Sequence, residues 1–485
     1  MAYSGFQEFL QVLERAGDLR RIAMPIDPVL EIAEIADRAV KSGGPALLFE
    51  QPKGSRFPVA INTFASQARM SRALGVEDLE EIAAEIARLV SLPGGLPSGL
   101  FAKAAMLPGL AEIGRNTAPK SYRGNAPCQE VVKTGEDIRL SELPILKCWP
   151  LDGGRFITLP LVFTKDPASG KRNVGMYRMQ VYDDRTCGMH WQRHKVGSRH
   201  YAEYESQGRD IPVAVALGGD PCYTYAATAP LPEEIDEMAF AGFLRKKPVE
   251  LVACKTVDLE VPADAEFVIE GVVPAGVRRS EGPFGDHTGF YTLEDDYPVM
   301  NITAITHRRN AVYPATIVGR PPMEDGWLGK ATERLFLPLV RLFVPEILDY
   351  NLPVEGVFHN LCIVKIRKRY PGHAQKVMNA LWGLGQMMFT KIIVVVDEWV
   401  NVQDLSEVLW VTANNIDPER DTQFVRGPID VLDHASRAMG YGSKMGIDAT
   451  RKLPEEGFSR PWPPVIEMSP EVKRRVDSLW ESLGL

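Results

Sequence analysis

The chain has 485 residues, 45% of them hydrophobic and 24% charged, the proportions of a soluble, packed protein of about three domains at roughly 150 residues each. This composition excludes a disordered polymer, a collagen-like repeat and a small disulfide scaffold. Lys and Arg number 55 against 63 Asp and Glu, a net charge of −8, which argues against a polyanion-binding surface and hence against nucleic acid as a partner.

The first 120 residues alternate helix and strand. Phe6, Phe9, Leu10 and Leu13 share one helical face, with Gly17 as a stop. Asp27-Pro28 reads as a cap and first-turn proline ahead of the helix EIAEIADRAV, which ends at Gly43-Gly44. PALLFE follows as a buried strand and DLEEIAAEIARLV as a third helix.

Over 121–310 the apolar runs become short, β-branched and bounded by turn residues. LPLVFTKDPASGKRNVGMYRMQVYDD reads as a hairpin turned at DPASGK, and IPVAVALGG, VELVACKTVDLEV, EFVIEGVV and MNITAITHRRNAVYPATIV as further strands. PEEIDEMAFAGFLR is the one clear helix among them. A β-barrel or strongly bent sheet fits this block. Over 311–455 alternation returns, with ERLFLPLVRLFVPEIL as helix, LCIVKIR as strand, AQKVMNALWGL as helix and KIIVVVD as a strand of the kind parallel sheets bury on both faces. The region 456–485 is a Pro-rich linker, then a helix capped by Ser469-Pro470 with Val472, Val476, Leu479, Trp480 and Leu483 on one face, an expected oligomerisation element.

The six cysteines, Cys128, Cys148, Cys187, Cys222, Cys254 and Cys362, form no CxxC pair and read as reduced thiols of a cytoplasmic protein. The N-terminus lacks the pattern of a signal peptide, and no apolar stretch is long enough to span a bilayer.

Two clusters carry the chemistry. In RRSEGPFGDHTGFY (278–291), Glu281 and Asp286 flank a Gly-Pro-Phe-Gly turn and His287 follows. Paired carboxyls in one confined site push their pKa values apart, as acid/base work requires. The same spacing also fits a β-turn with solvated acids. The second cluster holds Asn173, Met176, Tyr177 and Arg178 in NVGMYR, then His190, Trp191, Gln192, Arg193, His194 and Lys195 in HWQRHK, with Val196 next. An imidazole, an amide oxygen and a carboxylate such as Glu237 form a hard ligand set for Mn²⁺ or Mg²⁺; each also reads as an ordinary interior or surface side chain. Arg178, Arg193 and Lys195 beside such a metal suit a phosphate. The sequence has no GxxxxGKS, no strand-borne GxGxxG, no GxSxG and no HExxH.

Taken together and in order, NVGMYR, HWQRHK, DEMAFAG, RRSEGPFGDHTGFY, RKRYPGHAQKVMNALWG and GSKMGIDAT resemble the UbiD family over about residues 5–460. The members of that family are decarboxylases dependent on prenylated FMN, among them polyprenyl-4-hydroxybenzoate and ferulic acid decarboxylases. The resemblance implies an α/β multidomain fold: an N-terminal α/β domain (1–120), a central flavin-binding split β-barrel (121–310), a C-terminal α/β domain (311–455) and a terminal exchanged helix (456–485).

It further implies a metal, Mn²⁺ or Mg²⁺, on Asn173, His194 and Glu237, with His190 as the competitor for the middle position and K⁺ as a further candidate ion. Met176, Tyr177, Arg178, His190, Trp191, Gln192, Lys195 and Val196 would line the flavin, and Lys391 would reach its phosphate. Arg178, Glu281 and Asp286 match the catalytic trio. The Asp at 286 follows the hydroxybenzoate branch, where the ferulate branch has Glu. In this scheme Asp286 protonates the carbon and must be protonated near neutral pH, through burial or like-charge pressure from Glu281. The implied partners are a small carboxylic acid, a flavin prenyltransferase as cofactor supplier and further copies of the chain in a homodimer or homohexamer. A polyprenylated substrate would add peripheral membrane association. The rival readings are a flavin oxidoreductase, which needs a nicotinamide site not visible in the sequence, and a non-catalytic flavin- or metal-binding protein.

Overall fold

The computed structural model describes residues 2–90, 117–192, 195–232 and 235–484. Phe6, Phe9, Leu10 and Leu13 of the first helix, Phe6–Arg15, are buried as their spacing predicts. Glu31–Lys41 is the second helix, one turn later than its proline suggests. The Asp27 carboxylate instead accepts from the Val29 amide at 2.8 Å, in a turn ahead of the helix. Strands Leu19–Ile22, Ala46–Phe49 and Val59–Ile61 form a small sheet, and Tyr313–Pro314 adds its fourth strand. The chain thus returns to the N-terminal layer after the central region, and the long helix Glu324–Phe343 then packs on Leu79–Val90. That helix is longer than its apolar pattern indicates and tolerates Pro338 inside. The residues after it, expected to continue the helix, form strand Ile347–Asn351, because the helix stops at Phe343 ahead of Pro345.

A ten-stranded sheet dominates the centre. Its main path runs Arg155–Ile157, Met179–Val181, Thr186–Met189, Asp295–His307, Phe267–Val273, Ile211–Leu217, Leu161–Lys165, Arg172–Met176. The last strand of this path is joined to the second by Tyr177 and Arg178 alone, and a link this short spans about 10 Å at full extension. The sheet therefore curls until its ends nearly meet, a half-barrel with those two residues at the seam. The predicted hairpin is present, Leu161–Lys165 against Arg172–Met176, with Asp166 accepting from the Ala168 and Ser169 amides in its turn.

The C-terminal layer is a five-stranded sheet in which Leu361–Ile366, Ile392–Asp397 and Tyr441–Asp448 run parallel. KIIVVVD is its buried centre, as the uninterrupted apolar run predicts. All six cysteines are free thiols, and no helix among the described residues is long and apolar enough to cross a membrane. Helix Pro470–Trp480 begins on its Ser469 cap, yet none of its residues is buried. Val472, Val476, Leu479, Trp480 and Leu483 remain 38–57% exposed, so the stripe does not dock on its own chain.

Candidate active site

The Arg178 guanidinium, at the seam, gathers the cluster. Its Nε donates to Glu281 Oε1 at 2.8 Å and its Nη2 to Glu281 Oε2 at 3.1 Å, while Nη1 bonds Asp286 Oδ2. Nη2 also reaches the Thr292 hydroxyl at 3.2 Å, and the guanidinium lies 4.5 Å over the Phe284 ring. Such a fork leaves the arginine little freedom. His190 Nδ1 lies 3.2 Å from Glu281 Oε2, and its ring packs at a tilt against Tyr297, with centroids 4.4 Å apart. One of the two ring nitrogens of this competitor for the metal is therefore committed to the carboxylate.

The loop carrying both carboxyls is fixed by contacts that sequence spacing could not reveal. Asp152 accepts from the Gly285 amide at 2.8 Å and from the Trp149 amide at 2.9 Å. Gln180 accepts from the Gly282 amide at 2.7 Å. Gly282 has φ +101°, and a Cβ on Gly285 would lie 2.2 Å from Trp149 Cδ1, so both glycines are required by the path of the loop.

The electrostatics reverse one expectation. Burial alone would raise the pKa of Glu281, but the hydrogen bonds from His190 and Arg178 overcome it and hold the group below the usual carboxylate range. Burial would likewise raise Asp286, and His287 and Arg178 together hold it lower still. At rest Asp286 is thus an ion-paired carboxylate, because each carboxyl is compensated by a cation instead of being forced against its neighbour. Behind it, His287 Nδ1 lies 2.8 Å from Asp286 Oδ1 and His287 Nε2 lies 2.8 Å from His359 Nε2.

On the other side of the seam, helix Glu237–Arg245 is stitched to strand Arg172–Met176. The Arg172–Asp236 ion pair at 2.7 Å and the Val174 amide donating to Glu237 Oε2 at 3.0 Å hold Asn173 and Glu237 at this junction. Burial pushes Glu237 up to about 7, and a cation would restore its charge. The buried Asn173 Nδ2, His190 Nε2 and Trp191 Nε1 atoms have no well-aligned partner among the described residues. The donor set and these orphaned polar atoms fit a polar cofactor and a hard cation. His194 lies outside the described residues, as does Arg193, and among those described no three His, Cys, Asp or Glu side chains form a metal cluster.

Lys195 and Val196 begin the eleven-residue helix Val196–Ser206, whose N-terminus suits an anion. Lys195 keeps solvent contact, yet the surrounding protein desolvates its ammonium and lowers its pKa, with Asp430 acting in the other direction. Tyr177 and Trp191 are buried, and Met176 and Gln192 half-buried, around the same seam. The Gly197 amide contacts the Tyr177 hydroxyl at 3.4 Å, and a Cβ on Gly197 would come within 3.1 Å of Trp191 Nε1. Lys391 is bonded to Asp433 at 2.6 Å, so the ammonium expected on a phosphate is engaged here in fastening a loop. In that loop the His434 ring packs at a tilt against Phe290, with centroids 4.1 Å apart, beside the Asp286 turn.

Family models for the 3-octaprenyl-4-hydroxybenzoate carboxy-lyase match this chain in three consecutive pieces: the N-terminal domain over residues 10–88, the Rift-related domain over 120–321 and the C-terminal domain over 326–449. The chain belongs to the UbiD family. As a UbiD-class chain it is a decarboxylase, a carboxy-lyase. An uncharacterized protein of Aquifex aeolicus is 53% identical over 486 residues, covering 100% of this chain and 99% of that protein. Among solved structures, the UbiD-class enzyme HmfF from Pelotomaculum thermopropionicum, in complex with FMN, is 32% identical with a TM-score of 0.80, over 95% of this chain and 97% of that one. The vanillic acid decarboxylase of Sedimentibacter hydroxybenzoicus in closed form is 28% identical with a TM-score of 0.85, over 100% and 99%. An evolved dimeric form of HmfF, in complex with prFMN, is 31% identical with a TM-score of 0.79, over 95% and 97%. Arg178, Glu281 and Asp286 fall within the Rift-related match, as do Asn173 and Glu237.

Proposed function

We propose that the chain catalyses the reversible, non-oxidative decarboxylation of an aromatic acid of the 4-hydroxybenzoate type, or of an α,β-unsaturated acid, with prenylated FMN and a divalent cation. The observation that carries this reading is the buried Arg178 held between Glu281 and Asp286 at the barrel seam. The vanillic acid decarboxylase and the HmfF complexes with FMN and prFMN support the substrate class and the cofactor.

Loss of CO₂ from an sp² carbon leaves a localised carbanion that side chains cannot delocalise, and the flavin, when bound, supplies the electron sink. The chain's own residues do the rest. Arg178 binds and orients the substrate carboxylate; Glu281, with His190 behind it, holds that arginine in register. Asp286 delivers a proton to the carbon once CO₂ has left. Asn173, Glu237 and His194 would hold the cation, and Lys195 with the start of helix Val196–Ser206 would take a phosphate. A flavin prenyltransferase would supply the cofactor, the protein would work in the cytoplasm, and the exposed C-terminal stripe would bind a second copy of the chain. The test is CO₂ release by the reconstituted enzyme from a panel of hydroxybenzoic, heteroaromatic and acrylic acids. Release only with prenylated FMN supports the reading, and turnover independent of the flavin refutes it.

A further inference from the structure

Decarboxylation of a carboxylate consumes one proton: RCOO⁻ + H⁺ gives RH + CO₂. Asp286, ion-paired to Arg178, carries none at rest. The nearest group that can hold one is His287. Its ring is half-enclosed, stacked 5.4 Å from Phe358, with Nδ1 on Asp286 at 2.8 Å and Nε2 on His359 at 2.8 Å. An imidazole between a carboxylate and another imidazole satisfies both contacts best as imidazolium, donating Nδ1–H to Asp286 and Nε2–H to the lone pair of His359 Nε2. His359 must then be neutral with its proton on Nδ1, an atom that is buried and without a partner among the described residues.

We propose that His287 is the proton store of this site, passing its Nδ1 proton to Asp286 Oδ1 during turnover while His359 fixes the ring from behind. The proposal rests on the reading of Asp286 as the acid. When a substrate carboxylate takes over Arg178, Asp286 loses one of the two cations that hold its charge and becomes the better base, so the proton crosses the 2.8 Å hydrogen bond from the other, His287. His287 becomes neutral, Asp286 becomes the acid, and transfer to carbon returns it to a carboxylate. In sum, RCOO⁻ and the His287 imidazolium give RH, CO₂ and neutral His287, which solvent reprotonates after product leaves. No oxidant or reductant is needed.

The surroundings favour this assignment. Burial opposes charge on His287, but Asp286 outweighs it, with Asp325 from the start of helix Glu324–Phe343 and Asp430 from the loop after strand Thr422–Pro428 adding to the effect, so its pKa is raised. Burial and the positive charge of His287 depress His359 to about 4, with Lys195 acting in the same sense and Asp430 and Asp286 against. The two rings are thereby polarised into one donor and one acceptor.

The holoenzyme labelled with ¹⁵N-histidine tests this, with His287→Gln used to assign the signal. His287 should remain imidazolium above pH 6.5, the ordinary value, and its transition should move down in Asp286→Asn; His359 should stay neutral throughout. Kinetically, His287→Gln should retain flavin and metal but lose roughly 10- to 100-fold in CO₂ release, and the alkaline fall in rate should no longer follow the His287 titration. A neutral His287 at pH 6.5 in the wild-type holoenzyme overturns the proposal. So does a His287→Gln variant with wild-type rate and pH profile. If Asp286→Asn is inactive while His287→Gln is unaffected, only the store is wrong; an active Asp286→Asn removes Asp286 itself as the acid.

Discussion

Replacing Glu281 by Gln probes the part of the site that holds the arginine still. The carboxylate receives two hydrogen bonds from Arg178, at 2.8 and 3.1 Å, and lies 3.2 Å from His190 Nδ1. Hydrogen bonds to charged groups contribute about 1.5–3 kcal/mol each. The amide keeps the shape and one accepting oxygen, but its NH₂ then faces a donor of Arg178 or His190. One charge-assisted bond is lost, and a buried guanidinium is left with Asp286 as its one carboxylate. Breaking a buried pair costs about 3–5 kcal/mol, and the retained oxygen keeps the loss near the lower end, about 3 kcal/mol. At 1.36 kcal/mol per tenfold, this predicts a fall in kcat of roughly 10²-fold. The assay is initial CO₂ release at equal flavin occupancy, checked by the flavin absorbance, since Glu281 is placed on Arg178 and not on a phosphate. A kcat within about threefold of wild type at full occupancy would refute the assigned role.

Other substitutions separate the remaining parts. Glu237→Gln should weaken retention of metal and flavin, measured by elemental analysis and absorbance, by about 10- to 100-fold in metal affinity; full occupancy of both in the purified variant contradicts the ligand assignment. Gly285→Ala should lower stability and activity together, because the new methyl carbon falls 2.2 Å from Trp149 Cδ1; unchanged thermal unfolding would mean that the loop yields easily. Deleting residues 465–485 should shift the mass in light scattering toward a smaller species, because the Val472–Leu483 stripe lies open on this chain; an unchanged mass sinks its role in assembly.

Local pattern carried most of the elements. The run KIIVVVD is a parallel strand buried in its sheet because nothing in it needs water, and DPASGK turns its hairpin because Asp166 bonds the amides two and three residues ahead. Where the sequence misled, tertiary context decided: the residues after Phe343 form strand Ile347–Asn351 because a neighbouring strand, Leu361–Ile366, pairs with them. The site divides in the same way. Gly and Pro around Glu281 and Asp286 mark a shaped loop, but Arg178 meets these carboxylates across separations of 103 and 108 residues, beyond any spacing argument, and the family likeness alone brought the three together. Asp152, Thr292 and His359 went unmarked because each acts through a partner remote in sequence. The resting charge of Asp286 is hidden in part for the same reason: one cation on it, Arg178, lies 108 residues away, and the other, its neighbour His287, is turned onto the carboxylate only in the fold.

The central claim is that Asp286 delivers the proton to the reacting carbon. It is tested most directly by hydrogen exchange at that carbon of the product in D₂O, a step that needs the final donor even when no CO₂ is present. Asp286→Asn preserves the shape and one accepting oxygen but cannot give up a proton, so at full flavin and metal occupancy its exchange should fall about 10²- to 10⁴-fold below wild type. Exchange at the wild-type rate in that variant would contradict the account and move the role of donor to Glu281 or a bound water.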